Sequence, residues 1–203
     1  MPNIGKFITF EGTDGSGKTT QINSMLTFLD KQGIKYITTR EPGGTVVGEK
    51  LREILLHRVE ENLEISTELL LMIASRVEHI KNVIKPALDK GTWVICDRFT
   101  DATIAYQGYG AGFDVEKIYK ILKLIGCDLT PDLTLFIDID VKKGLERIKG
   151  VKDRFEKKGI EFLERVRKGY IALSEKYPAR IKRIDGSGSV EQVFERILSF
   201  VGT

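Results

Sequence analysis

Gly12, Gly17, Lys18 and Thr19 stand at the spacing G-x-x-x-x-G-K-[ST] within "FEGTDGSGKTTQ", residues 10–21. A loop of this kind turns backbone N–H groups inward around a phosphate. Its lysine reaches the β- and γ-phosphates, and its Ser/Thr hydroxyl can ligate Mg2+. The flanks support the motif. "KFITF" before it reads as a buried strand, and "TTQINSMLTFLDKQG" after it as an amphipathic helix stopped at Gly33. An ordinary glycine-rich turn would not need this strand–loop–helix setting, so the chain is expected to bind a nucleoside triphosphate.

Five further groups could do chemistry. Asp97 and Arg98 directly follow the apolar run "TWVIC". In a phosphate-loop protein such an acid is a candidate Mg2+ partner, often through water, and the arginine beside it can grip a phosphate bidentately. The alternative is a helix-capping Asp and a surface Arg. Asp138 and Asp140 form a rival pair; Asp138 is read first as a helix-capping or structural acid, with a metal role left open. "REPGGT", residues 40–45, is either a plain turn or a ligand-facing loop; Pro42 constrains Glu41 and permits a cis bond. In "ELLLMIASRVEHI", Met72 and Arg76 are i, i+4 neighbours that either hold a planar base or divide between core and surface.

The fifth group is the basic segment "RIKGVKDRFEKKG", residues 147–159, with Arg147, Lys149, Lys152, Arg154, Lys157 and Lys158. A mobile arginine there could stabilise a transferring phosphoryl group while closure excludes water. A solvated loop or a nucleic-acid patch reads equally well. Lys18, Asp97, Arg98 and this lid together point to transfer between two phosphorylated ligands. The histidines, His57 and His79, read as helix-surface residues.

The elements that must position these groups alternate. Strands are expected at 6–11, 35–39, 92–96, 133–137 and 181–184. Helices are expected near 18–32, 45–57, 66–89, 101–108, 114–126, 141–149, 158–176 and 189–201. This pattern predicts an α/β fold of the P-loop NTPase type, a five-stranded parallel sheet with helices on both faces and a short lid. Ligands on such sheets sit beyond the carboxyl ends of the strands, where the candidate residues fall. At 203 residues, one domain spanning 1–203 is expected, with the lid at about 147–159. A net charge of +3 is too small to imply nucleic-acid binding. No apolar run reaches the roughly 20 residues of a membrane span. Two cysteines, Cys96 and Cys127, form neither a disulfide framework nor a zinc spacing, and a cytoplasmic protein is expected.

The motifs "FEGTDGSGKTT", "REPGGT" followed by "GEKLR", "ELLLMIASR", "DRFTDATIAYQG" and "DRFE…FLERVRKGY" together resemble the bacterial thymidylate kinase family over essentially the whole chain. The resemblance implies phosphoryl transfer from ATP to dTMP, giving dTDP and ADP, with Mg2+, in a homodimer. It implies an ATP site made of Gly12, Thr13, Asp14, Gly15, Ser16, Gly17, Lys18, Thr19 and Thr20, with Arg147 stacked on adenine. Thr19 and Asp97 would be the metal-side residues. Asp14 would also meet the sugar 3′-hydroxyl of dTMP, Arg98 its phosphate, and Arg76 the thymine O4. Thr103 and Gln107 fall where the base edge is read, Tyr106 where a ring disfavours ribose, and Pro42 and Leu51 as walls. Lys18, Arg98 and Arg154 are the candidate catalytic residues. Another branch of the family places its catalytic arginine at position 15, which is Gly here, so the lid must supply it. Met72 stands where a phenylalanine is usual, and Ala102 where a serine is common.

The nearest rival is a kinase for CMP, UMP or AMP, against which "AYQG" after "DRF" argues. A GTP switch would need N-K-x-D, which does not occur. A nucleic-acid-stimulated ATPase would use the basic run. The expected partners are therefore ATP and dTMP, with no stable nucleic acid and no membrane.

Overall fold

The computed structural model describes residues 5–56, 63–148, 154–155 and 158–202. Five strands, β1 (Phe7–Glu11), β2 (Tyr36–Arg40), β3 (Trp93–Asp97), β4 (Leu133–Asp138) and β5 (Ile181–Asp185), form one parallel sheet in the order β2-β3-β1-β4-β5. Each lies within a residue or two of its expected place. β1, β3 and β4 are almost wholly buried, as their apolar runs require, whereas β2, "YITTR", is a half-exposed edge strand.

Alternation along the strands supplies both faces. Phe7, Val94, Cys96 and Phe136 enter one core, and Ile8, Phe10, Ile95, Leu135 and Ile137 the other. The second core is closed by α1 (Lys18–Lys31) and α9 (Val190–Val201), which contribute Met25, Leu29, Val193 and Ile197. The first is closed chiefly by α3 (Ile65–His79), α6 (Val115–Leu124) and α8 (Ile160–Lys176).

The helix expected over 66–89 is one helical run with a widened middle. α3 passes through a π-helical stretch, Ile80–Ile84, into α4 (Lys85–Asp89). Pro86 has no N–H for the carbonyl four residues back, and its ring would strike that carbonyl; a wider turn relieves both. A second widened run follows β3, where α5 (Thr100–Thr103) continues into π-helical Ile104–Gly110. The remaining helices are α2 (Val46–Leu56) and α7 (Val141–Arg147). Register puts Phe10 and Arg40 opposite Asp97, and Glu11 opposite Phe136, so the strand ends carrying the candidate residues share one edge. No described helix is long and apolar enough to cross a membrane.

Candidate active site

The phosphate loop joins β1 to α1. Gly12, Gly15 and Gly17 take φ of 141°, 74° and 96°, angles that side-chain-bearing residues avoid. At Gly15 a Cβ would lie 2.0 Å from the carbonyl oxygen of Gly144, so α7 rests directly on the loop's backbone. No side chain caps the N-terminus of α1, which leaves its N–H groups and positive end for an anion. The buried Lys18 Nζ donates to the carbonyls of Gly12 and Thr13, both at 3.1 Å. Burial, then the Arg98 guanidinium, lowers its pKa; an anionic phosphate would oppose both.

A cavity of about 480 Å3 opens over this loop. Asp14 to Thr20 line it together with Asp97, Arg98, Arg147 and the turn after β5 at Gly186–Ser189. Gly12 and Thr13 lie beneath, acting through their carbonyls. Asp97 Oδ1 is buried and has no hydrogen-bond partner among the described residues. No cluster of three acidic, histidine or cysteine side chains forms a metal cage among them. One orphaned carboxylate oxygen and the Thr19 hydroxyl beside a phosphate cradle suit Mg2+, which keeps several waters and takes few protein ligands. The rival acids are engaged elsewhere. Asp138 is clamped by Arg167 and Arg183, and Asp140 caps α7 through the N–H groups of Lys142 and Lys143. The structural reading of Asp138 holds.

Arg98 is the one described non-glycine residue in the left-handed region, with φ of 69°. Its N–H bonds to Phe10 O at 2.9 Å, fixing the turn out of β3. The guanidinium then reaches Gly12 O at 2.8 Å, Asp14 Oδ1 at 2.6 Å and the Tyr170 hydroxyl at 3.3 Å, and lies over the Tyr106 ring. Burial alone would lower its pKa, but Tyr106 and Asp14 reverse that and hold it well above its usual value. Burial would raise the Asp14 carboxyl, yet Arg98 and Lys18 outweigh it and the pKa falls. Both charges are thus held.

A smaller cavity of about 90 Å3 adjoins the first, and Asp14, Glu41, Arg52 and Arg98 line both. Pro42, after a cis Glu41–Pro42 bond, and Met72, Arg76, Thr103, Tyr106 and Gln107 also line it. Met72 is half-buried, facing this cavity while packing against the core. Leu51 is half-buried on α2 but outside this lining; α2 contributes Arg52 and Leu56 instead. Arg76 is fully buried. Its Nε donates to Glu41 Oε2 at 2.8 Å, its Nη2 to Thr103 Oγ1 at 2.9 Å, and its Nη1 has no partner among the described residues.

His79 is not the surface residue expected from its helix position. It is wholly buried, bonding Glu41 Oε1 through Nδ1 at 2.9 Å and Thr39 Oγ1 through Nε2 at 2.6 Å. The "REPGGT" loop folds over the end of α3 and covers it. His57, Lys149, Lys152 and Lys157 lie outside the described residues. Within the lid, Arg147 is exposed at the end of α7 and lines the larger cavity. Arg154 does not line it. Its Nη2 pairs with Glu68 and its Nε donates to Leu55 O at 2.9 Å, while neighbouring Phe155 lines the smaller cavity.

Comparison with known proteins decides among phosphate-loop kinases. The family model described as thymidylate kinase matches residues 10–197. The chain is 49% identical over 200 residues to the thymidylate kinase of Psychrobacter sp. (strain PRwf-1), covering 96% of each. It is 45% identical over 199 residues to that of Methylobacillus flagellatus, covering 97% of each. The crystal structure of thymidylate kinase from Ehrlichia chaffeensis superposes with a TM-score of 0.82 at 37% identity, covering 98% of this chain and 99% of that one. The chain belongs to the thymidylate kinase family.

Seen as a member of the thymidylate kinase family, the site contains residues to which sequence reasoning assigned no role. Glu11, Glu41, Arg52, Glu68 and Tyr170 all sit inside the quoted motifs, so the signal was present. Their tasks were hidden because each is defined by a distant partner. Glu11 accepts the Phe99 N–H at 2.7 Å and the Tyr170 hydroxyl at 2.8 Å, and so props the Arg98 turn from below.

Proposed function

We propose that this chain transfers the γ-phosphoryl group of ATP to dTMP, giving dTDP and ADP on the route to dTTP. The observation that carries the reading is the pair of adjoining cavities joined at Asp14 and Arg98. One has a phosphate cradle, and the other is a small slot lined by an Arg76 guanidinium N–H that has no partner among the described residues. The triphosphate lies along the loop with its γ-phosphate at the junction, and Lys18 exchanges its two carbonyl partners for phosphate oxygens. Arg98 grips the dTMP phosphate there, and Asp14 takes the sugar hydroxyl. An oxygen of the dTMP phosphate attacks the γ-phosphorus while the bond to the β–γ bridging oxygen breaks. The attacking atom is already an anionic oxygen, so positioning and charge neutralisation supply the catalysis. Mg2+, with Thr19 and Asp97 on its protein side, would supply charge neutralisation on the β- and γ-phosphates. The lid, about 147–159, completes one domain; Arg147 covers the adenine and Arg154 is the candidate for the transferring phosphoryl.

A homodimer and a cytoplasmic location complete the proposal. Val46, Val47, Ile54 and Leu70 are exposed on α2 and α3, an apolar face suited to a second copy; sedimentation equilibrium tests it. The deciding experiment for function is ADP release across nucleoside monophosphates. Turnover with dTMP far above CMP, UMP and AMP is expected, and preference for another monophosphate overturns the reading.

A further inference from the structure

The dTMP slot is built around an amide whose direction is fixed from behind. Gln107 and Glu68 are both 1% exposed, and Gln107 Nε2 donates to Glu68 Oε1 at 2.7 Å. With its N–H2 end turned to the carboxylate, Gln107 leaves its carbonyl oxygen for the cavity it lines. Across that cavity, Arg76 Nη1 is a buried donor with no partner among the described residues. The slot therefore shows one donor and one acceptor. A 4-oxo pyrimidine offers the matching pair, an O4 acceptor beside an N3–H donor. Cytosine offers the reverse, an amino donor beside an N3 acceptor.

An unrestrained glutamine would defeat this discrimination by rotating its amide. Here rotation would turn the carbonyl oxygen onto a carboxylate oxygen, two acceptors face to face. The carboxylate is itself held by cations, with Arg154 Nη2 and Lys158 Nζ both on Glu68 Oε2. We infer that Glu68 is a specificity-determining positioning residue, which locks the Gln107 amide so that the site accepts 4-oxo and rejects 4-amino pyrimidine monophosphates. This rests on the function proposed above and adds a residue that touches no substrate.

The test measures kcat/KM for dTMP and dCMP in the wild type, Glu68→Gln and Lys158→Met, with Tm for each. A site built around hydrogen bonds rejects the mismatched partner by about a thousandfold or more. Glu68→Gln, whose neutral amide can donate as well as accept, should cut the dTMP:dCMP ratio by about tenfold or more. Lys158→Met should keep the ratio, since Arg154 Nη2 still holds the same carboxylate oxygen and the Gln107 amide keeps its partner, Glu68 Oε1. A purely structural role for Glu68 would lower both substrates together and leave the ratio unchanged, which overturns the inference, as does an equal fall in ratio for Lys158→Met. A wild type that does not use dTMP overturns the functional reading itself. Should Glu68→Gln not fold, side-chain amide exchange in the wild type decides: a protected Gln107 N–H, with or without dTMP, is expected, and a freely exchanging one refutes the lock.

Discussion

Arg98 Nη2 lies 2.6 Å from Asp14 Oδ1 at the seam where the two cavities meet, so a residue of the phosphate loop holds the arginine assigned to the acceptor phosphate. Arg98→Ala should lower kcat/KM for dTMP by on the order of a hundredfold or more, since a charge-assisted contact in a closed site is lost. Arg98→Lys should recover little, because an ammonium cannot bond Gly12 O, Asp14 and a phosphate from one planar fork. Steady-state kinetics of both variants check this; near-normal kcat/KM in Arg98→Ala removes the residue from the acceptor site.

Arg154 should behave differently. It is paired with Glu68 rather than placed at the phosphate cradle, so acting on the phosphoryl group requires it to change partners. Arg154→Ala is expected to lower kcat while dTMP binding stays nearly constant. Equilibrium binding of dTMP separates the two cases, and an equal loss of ground-state affinity would make Arg154 a binding residue.

Met72 faces the smaller cavity while packing against the core. Met72→Ala should cost roughly 1–3 kcal/mol of dTMP affinity through lost apolar contact. Met72→Phe should hold or tighten affinity, because a flat ring stacks with less rotamer freedom to lose. Calorimetric titration and melting temperatures together decide. A destabilised Met72→Phe with unaltered affinity would assign the side chain to the core.

Glu11 titrates far from the usual carboxyl range. Burial first, then the nearby Asp101 charge, raises its pKa from 4.5 to about 8. Between those values the folded protein binds the proton that the unfolded chain has released. The stability this group contributes is therefore complete below pH 4.5 and lost as pH rises through about 8. Unfolding free energies from urea titrations of the wild type should fall across that window with a slope of at most about 1.4 kcal/mol per pH unit from this group. Glu11→Gln should flatten the profile. Depression of the Asp14 pKa acts only below its ordinary 3.8, outside the window. Superimposable profiles for the two proteins would show that Glu11 is ionised throughout.

The sequence made the framework readable because short apolar runs bounded by turn residues can be little other than buried parallel strands, and the phosphate loop punctuates the first of them. Spacing also exposed Arg76 and Met72 as neighbours. What it concealed depends on contacts across long stretches of chain. His79 looks solvated on its own helix, and only Thr39 and Glu41 make it a buried bridge. Asp138 reads as a structural acid with a metal role left open, and only Arg167 and Arg183, arriving from 29 and 45 residues downstream, say what it holds. Glu68 reads as an ordinary acid near the start of a helix, where the macrodipole favours it, and nothing local says that its carboxylate faces Gln107.

The contact between Gly15 and Gly144 bears on how the two branches of this family can interconvert. A chain that carries its arginine in the phosphate loop and one that carries it in the lid differ, on paper, by two exchanges. In this protein the first exchange is blocked. Any side chain at 15 would overlap the Gly144 carbonyl, and the glycine's φ of 74° is itself hostile to one. Gly15→Arg would have to lift α7 away from the loop before the new guanidinium could point anywhere useful. Any path to an arginine at position 15 must therefore first loosen that helix, and with it Arg147, which ends α7 at the rim of the larger cavity.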